Sequence, residues 1–223
     1  MKMYFINHFK KLAYLVVFAG FATAQAGSYE DYFRSVESDE AAVVKRLLGR
    51  GFDPNTLDPK GQHGLYIALR ESSLKVAKLL VDWPKTDVNM LNAKGESPLM
   101  MAALKGNPQI AEALVKKGAD VNKTGWAPLH YAASSGNLSI IAMLIENSAY
   151  IDAESPNGTT PLMMAAMYGT PEAVKLLSDE GADVQLKNVQ GLTALQFAQR
   201  AERANSVELI VTALKRKQPA GSW

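Results

Sequence analysis

The sequence predicts an all-α solenoid of about six helix–turn–helix repeats joined by hairpin-like loops, on three observations. Four stretches line up with one another: "GESPLMMAALKGN" from Gly95, "GWAPLHYAASSGN" from Gly125, "GTTPLMMAAMYGT" from Gly158 and "GLTALQFAQRAER" from Gly191. Each is followed by an apolar run of helical period, such as "PQIAEALVKKGADVN" or "LSIIAMLIENSAYID". A worn fifth copy, "GQHGLYIALRESS", puts the proline slot at Gly64, Pro98, Pro128, Pro161 and Ala194, with spacings of 34, 30, 33 and 33. A fixed period of this size is the signature of stacked repeats.

The repeats are expected at about 29–57, 58–91, 92–121, 122–154, 155–187 and 188–218. In the first, "DEAAVVKRLLGRGFDPN" keeps only a second helix and its closing turn. Asp39, Glu40, Lys45, Arg46 and Arg50 supply the polar outer face that a terminal repeat needs. In the central copies a proline such as Pro128 opens the first helix, where its missing N–H is harmless. Ala132 and Ala133 let paired helices approach, and Gly106, Gly136 and Gly169 end those helices in the left-handed region. Ile110, Leu114, Ile141, Leu144, Val174 and Leu177 form the buried stripe of the second helices. Gly118 and Gly181 turn the chain out into the next loop. Trp83, with Pro84, marks an extra residue at the end of a second helix and reads as local packing. Asp87, Asp120, Asp152 and Asp183 recur in one slot and read as turn acids bonding local backbone. The last repeat ends "LKRKQPAGSW": Lys215 to Lys217 form a solvated cap at a helix C-terminus, and 219–223 are a tail.

This pattern resembles the ankyrin repeat, a unit of about 33 residues with a T-P-L-H-x-A core. "APLHYAASSGNL" and "KKGADVN" carry the resemblance most closely, and it extends over about residues 29–218. It implies a binding module with no cofactor and no catalytic role. It also implies that His130 bonds backbone within and between repeats; Tyr66, Met100, Met163 and Gln196 hold the same slot. The mature chain has two histidines, His63 and His130, and lacks H-E-x-x-H, G-x-S-x-G, Walker A and G-x-G-x-x-G motifs.

The first 26 residues read as a signal peptide: Lys2, Lys10 and Lys11 without an acid, then "LAYLVVFAGFA", then an Ala24-x-Ala26 site that makes Gly27 the mature start. The apolar run is too short to span a membrane well, since a span needs about 20 residues. The whole chain has 24 basic and 22 acidic residues; without the leader 21 face 22, a net of −1. Nothing in that balance points to nucleic acid or an anionic membrane. The absence of cysteine excludes disulfides, a lipidated cysteine after the leader and a thiol nucleophile. A soluble, monomeric periplasmic or secreted protein is expected.

The resemblance implies a protein partner held along the loop tips and the concave face of the first helices. Its variable slots lie five, four and two residues before the proline slot, and six and seven after it. Repeat three then offers Ala93, Lys94, Glu96, Leu104 and Lys105; repeat four offers Lys123, Thr124, Trp126, Ser134 and Ser135. Trp126, Leu104, Met167, Tyr168 and Leu192 make an aromatic and methionine-rich patch of the kind found at interface centres. Lys94, Lys105, Lys123 and Arg70 give it a basic side. A rival role for Trp126 is packing: only two residues separate Asn122 from Gly125, against five between Asn89 and Gly95, so the ring could fill the space of the shortened loop. The expected roles are an adaptor or protective factor for a periplasmic enzyme, or an immunity protein that blocks a secreted toxin.

Overall fold

A computed structural model describes residues 27–217. The leader expected over 1–26 and the tail over 219–223 lie outside the described residues. Among the described residues twelve helices pair in sequence: α1 (27–37) with α2 (Ala41–Gly49), α3 (Gly64–Glu71) with α4 (Leu74–Asp82), and α5 (Pro98–Leu104) with α6 (Pro108–Lys116). The series continues with α7 (Pro128–Ser135) and α8 (Leu138–Glu146), α9 (Pro161–Met167) and α10 (Pro171–Asp179), and α11 (Ala194–Arg200) and α12 (Ala204–Lys217). From α3 to α11 the first helices stack on one another, and the second helices α2 to α12 stack behind them. This is the predicted all-α solenoid.

The core runs lengthwise between the two layers. Ile110, Leu114, Ile141, Leu144, Val174 and Leu177 are buried as the stripe predicts, and Ala132 and Ala133 are fully buried where first helices meet. Each leucine side chain taken out of water contributes about 1.5–3 kcal/mol, and it finds its cover in the neighbouring repeat.

A side-chain ladder ties the turns that close successive repeats. Asn55 donates through Nδ2 to the Lys85 carbonyl (2.9 Å) and accepts the Asp87 N–H through Oδ1 (2.8 Å). Asn89 does the same to Gly118 and Asp120, and Asn122 to Ser148 and Tyr150. The fourth rung is Asp152, whose side chain accepts the Asp183 N–H at 3.0 Å and, as a carboxyl group, carries no amide N–H. Asp152 therefore belongs to the asparagine slot and Tyr150 to the aspartate slot, which corrects the grouping of Asp152 with Asp87, Asp120 and Asp183. The expectation of purely local bonding holds for Asp87, which accepts the Asn89 N–H, but not for Asp152, which reaches the next repeat.

Three further expectations are corrected. Repeat one has both helices: α1 lacks the motif, yet Tyr32 and Val36 bury themselves in the core. Tyr32 fills the space that proline occupies in other copies. A Cβ on Gly64 would lie within 2.8 Å of its ring carbon Cζ, and its hydroxyl donates to the Pro54 carbonyl at 3.2 Å. The worn second copy is thus shaped by its neighbour. Asp39 is not on the solvent face of α2; it precedes that helix at φ +56° and accepts the Val76 N–H in α4 at 2.9 Å. Gly106 and Gly136 are left-handed as expected, at φ +68° and +70°, but Gly169 is not. Glycine is needed at 169 for room, because a Cβ there would come within 2.9 Å of the Ala165 Cα.

Two stability predictions result. Gly64→Pro, which restores the repeat's usual residue, is expected to cost about 1–3 kcal/mol through overpacking against Tyr32. In a Tyr32→Ala background the same change should cost less, as a urea double-mutant cycle reads; equal costs would sink the account. Asn122→Ala, which strips one full rung, should lower stability by about 1–3 kcal/mol in urea denaturation; an unchanged midpoint would refute the ladder's role.

Candidate protein-binding face

The loops before α3, α5, α9 and α11 are three-residue fingers. Backbone bonds close them from Asp58 to Gln62, Asn92 to Glu96, Ser155 to Thr159 and Asn188 to Leu192, at 2.8–3.0 Å. An acceptor side chain pins each tip: Asn92 Oδ1 takes the Lys94 and Glu96 N–H groups, and Asn188 Oδ1 those of Gln190 and Leu192. Repeat four is three residues shorter at this point, and no such closing bond forms before α7. Its neighbours come close instead: Lys123 Nζ lies near Gly95, and Gly125 near Pro156.

Trp126 sits where the finger is cut away, half-buried, its ring centroid 5.2 Å from His130 in an edge-on arrangement at 73°. With Leu104, His130, Tyr131, Ser134 and Met164 it lines a depression of about 190 Å³ on the first-helix layer. The ring therefore rests against the capping histidine and also forms an open wall.

His130 is fully buried. Its Nδ1 accepts the Ala127 N–H at 3.1 Å, and its Nε2 donates to the Thr159 carbonyl of the next repeat at 2.9 Å. That is the structural role the resemblance implies. Other residues in the slot repeat the first bond: Met100 Sδ, Met163 Sδ and Gln196 Oε1 accept from Ser97, Thr160 and Thr193. Burial lowers the pKa of His130 against the opposing pull of its backbone bonds. His63, also fully buried and bonded through Nε2 to the Met90 carbonyl at 3.0 Å, is lowered for the same reason.

Glu96 gathers three donors. Tyr66 of repeat two reaches Oε2 at 2.5 Å, Tyr131 of repeat four reaches Oε1 at 3.3 Å, and Asn92 adds Nδ2 at 2.8 Å. Burial pushes this carboxyl up, but the Tyr66, Asn92 and Tyr131 bonds outweigh it and hold the pKa below the ordinary value. Tyr131 is pushed up to about 12 by burial and by the same carboxylate.

The remaining predicted residues are spread more widely. Lys94 and Lys105 are exposed; Lys123 is half-buried, with Nζ 3.3 Å from the Thr124 carbonyl. Arg70 is engaged within the chain, on Glu71 at 2.7 Å and on Gln62. Tyr168 caps α9 with 60% of its surface exposed, Met167 is half-buried, and Leu192 lies in the last finger; none of the three lines the Trp126 depression. Tyr131 and Met164, which do line it, stand three residues after the proline slot and were missed. Helical spacing was the available signal, since that position lies one turn from the slot of Leu104. Trp83 is half-buried beside Leu48, Phe52 and Pro84, at a groove of about 460 Å³ where Asn55 already bonds the Lys85 carbonyl. It is a seam between repeats, consistent with the packing role.

Among the described residues no three His, Asp or Glu side chains cluster to hold a metal ion, and no helix is long and apolar enough to cross a membrane. Stacked helix pairs, finger loops and an aromatic depression define a module for binding other proteins. A family model described as ankyrin repeats, in three copies, matches residues 33–124, 84–155 and 129–218, and the chain belongs to that family. It is similar to a chain in the solved complex of the Bd0816 predatory endopeptidase from Bdellovibrio bacteriovorus with immunity protein Bd3460. That likeness has a TM-score of 0.70 and 29% identity, over 82% of this chain and 97% of that one. An ankyrin repeat domain from Acinetobacter baumannii gives 0.69 and 25%, over 81% and 96%. Ankyrin repeat and SAM domain-containing protein 6 of Rattus norvegicus is 31% identical over 111 residues, 48% of this chain but only 12% of that protein.

The buried histidines set a pH dependence. Because their folded pKa values lie below the ordinary 6.5, the unfolded chain binds more protons below that pH. Stability is therefore full above about 6.5 and falls as pH drops, by up to about 1.4 kcal/mol per pH unit per histidine. His130→Met should lower the melting temperature at pH 7.5 and flatten its decline between pH 7 and 5; an unchanged slope would refute this.

Proposed function

We propose that the chain is an exported, non-catalytic binding module that seats one protein partner on the first-helix face around repeats three to five. Of the two expected roles, immunity toward a secreted peptidase is the better supported. The observation that carries it is the likeness, over 82% of this chain, to a chain of a complex pairing an endopeptidase with an immunity protein. The mechanism is steric: a rigid face, already ordered by stacking, covers the partner with little further ordering cost.

The test is a pull-down from periplasmic extract with residues 27–223, wild type beside a Trp126→Ala/Tyr168→Ala variant of verified fold. A retained protein with peptidase activity that the chain suppresses supports immunity. A retained enzyme whose activity persists makes the chain an adaptor. Equal retention by the variant moves the site to the loop tips or the ends of the stack. An extract in which nothing is retained, although the partner class is expressed there, overturns the binding reading.

A further inference from the structure

We infer that the depression beside Trp126 takes a single large apolar side chain from an acidic segment of the partner, which rests on the binding role proposed above. Size is the first argument. At about 190 Å³ the depression is smaller than the roughly 300–1,000 Å³ of small-molecule sites, and it suits one anchoring side chain. Its walls are Leu104, Trp126, Tyr131 and Met164, the aromatic, methionine and aliphatic types that desolvate an anchor.

Charge is the second argument. The chain after the leader is nearly neutral, yet three lysines gather near this depression. Lys105 follows the wall residue Leu104 and caps α5. Lys123 lies three residues before Trp126, its Nζ within 3.9 Å of the Cβ position of Gly95. Lys94 is close enough to Glu96 to stabilise its charge. Glu96, the carboxylate among them, is committed to Tyr66, Tyr131 and Asn92. Arg70 and Glu71 pair with each other and leave the balance unchanged. Three lysines against the engaged Glu96 and the exposed Glu154, which lies between Ala153 and Pro156, leave a positive balance that favours a partner carrying acids beside its anchor.

The shortened finger is the third. A closed hairpin precedes α3, α5, α9 and α11, whereas the loop before α7 is three residues shorter and lacks the closing bond, and the tryptophan follows it directly.

The experiment selects a random dodecapeptide phage library on immobilised residues 27–223. Enriched peptides are then measured against Leu104→Ala/Trp126→Ala and Lys94→Glu/Lys105→Glu/Lys123→Glu variants. The expected consensus has one large apolar residue flanked by aspartate or glutamate. Its affinity should fall about tenfold or more in either variant, and the loss on raising salt should vanish in the lysine variant. The lysine changes touch no core residue, so that arm stands even if the apolar variant unfolds. A neutral or basic consensus, undiminished binding to the lysine variant, or no consensus overturns the inference. The extract pull-down separates the two readings. A partner held equally by wild type and both variants leaves the binding role standing and removes this pocket from it; no partner at all removes the binding role itself.

Discussion

Each helix pair is only two short helices deep, so its apolar stripe has no cover of its own. Everything else in the molecule follows from the need to bury that stripe against the next repeat. The stripe fixes the period, because a neighbour must arrive in the same orientation to match it. It fixes the small residues, because Ala132 and Ala133 leave room for the adjoining first helices. It also makes the polar backbone at each junction a problem, since unpaired groups at a tight seam are costly. The Asn55, Asn89 and Asn122 rungs answer that problem, each satisfying a donor and an acceptor of the next turn with one amide.

Against this background the surface is free to vary where stacking makes no demand. The first-helix layer carries Trp126 at the truncated finger, Leu104 at the end of α5, and Tyr131 held by Glu96. The same histidine both caps α7 and supports the tryptophan ring, so the wall of the depression and the repeat junction share a residue. The two readings of Trp126 are therefore less opposed than the loop count suggested. Packing against His130 is what holds the ring in its place on the face.

Much of the fold was legible because stacking repeats its requirements every 33 or so residues, and repetition separates signal from accident. The helix starts at Pro98, Pro128 and Pro161 and the buried stripe were of this kind. Reading ran out where one repeat borrows from another. The helix α1 carries no motif, and only its packing of Tyr32 against Gly64 explains both oddities together. The register of Asp152 was misread because an aspartate in an asparagine slot looks like one more turn acid. At the candidate face, slot arithmetic found Leu104 and Trp126 but not Tyr131 and Met164, because it counted positions along the chain and not around the helix.

Solenoid stability is ordinarily a sum of unit terms and nearest-neighbour terms, so that each repeat answers only to those beside it. The Glu96 carboxylate shows that rule at its most concentrated: Tyr66 from the second repeat and Tyr131 from the fourth, each an adjacent unit, meet on one group belonging to the third. Two seams thus draw on a single acceptor, and a change at that one side chain is felt on both sides of the middle repeat at once.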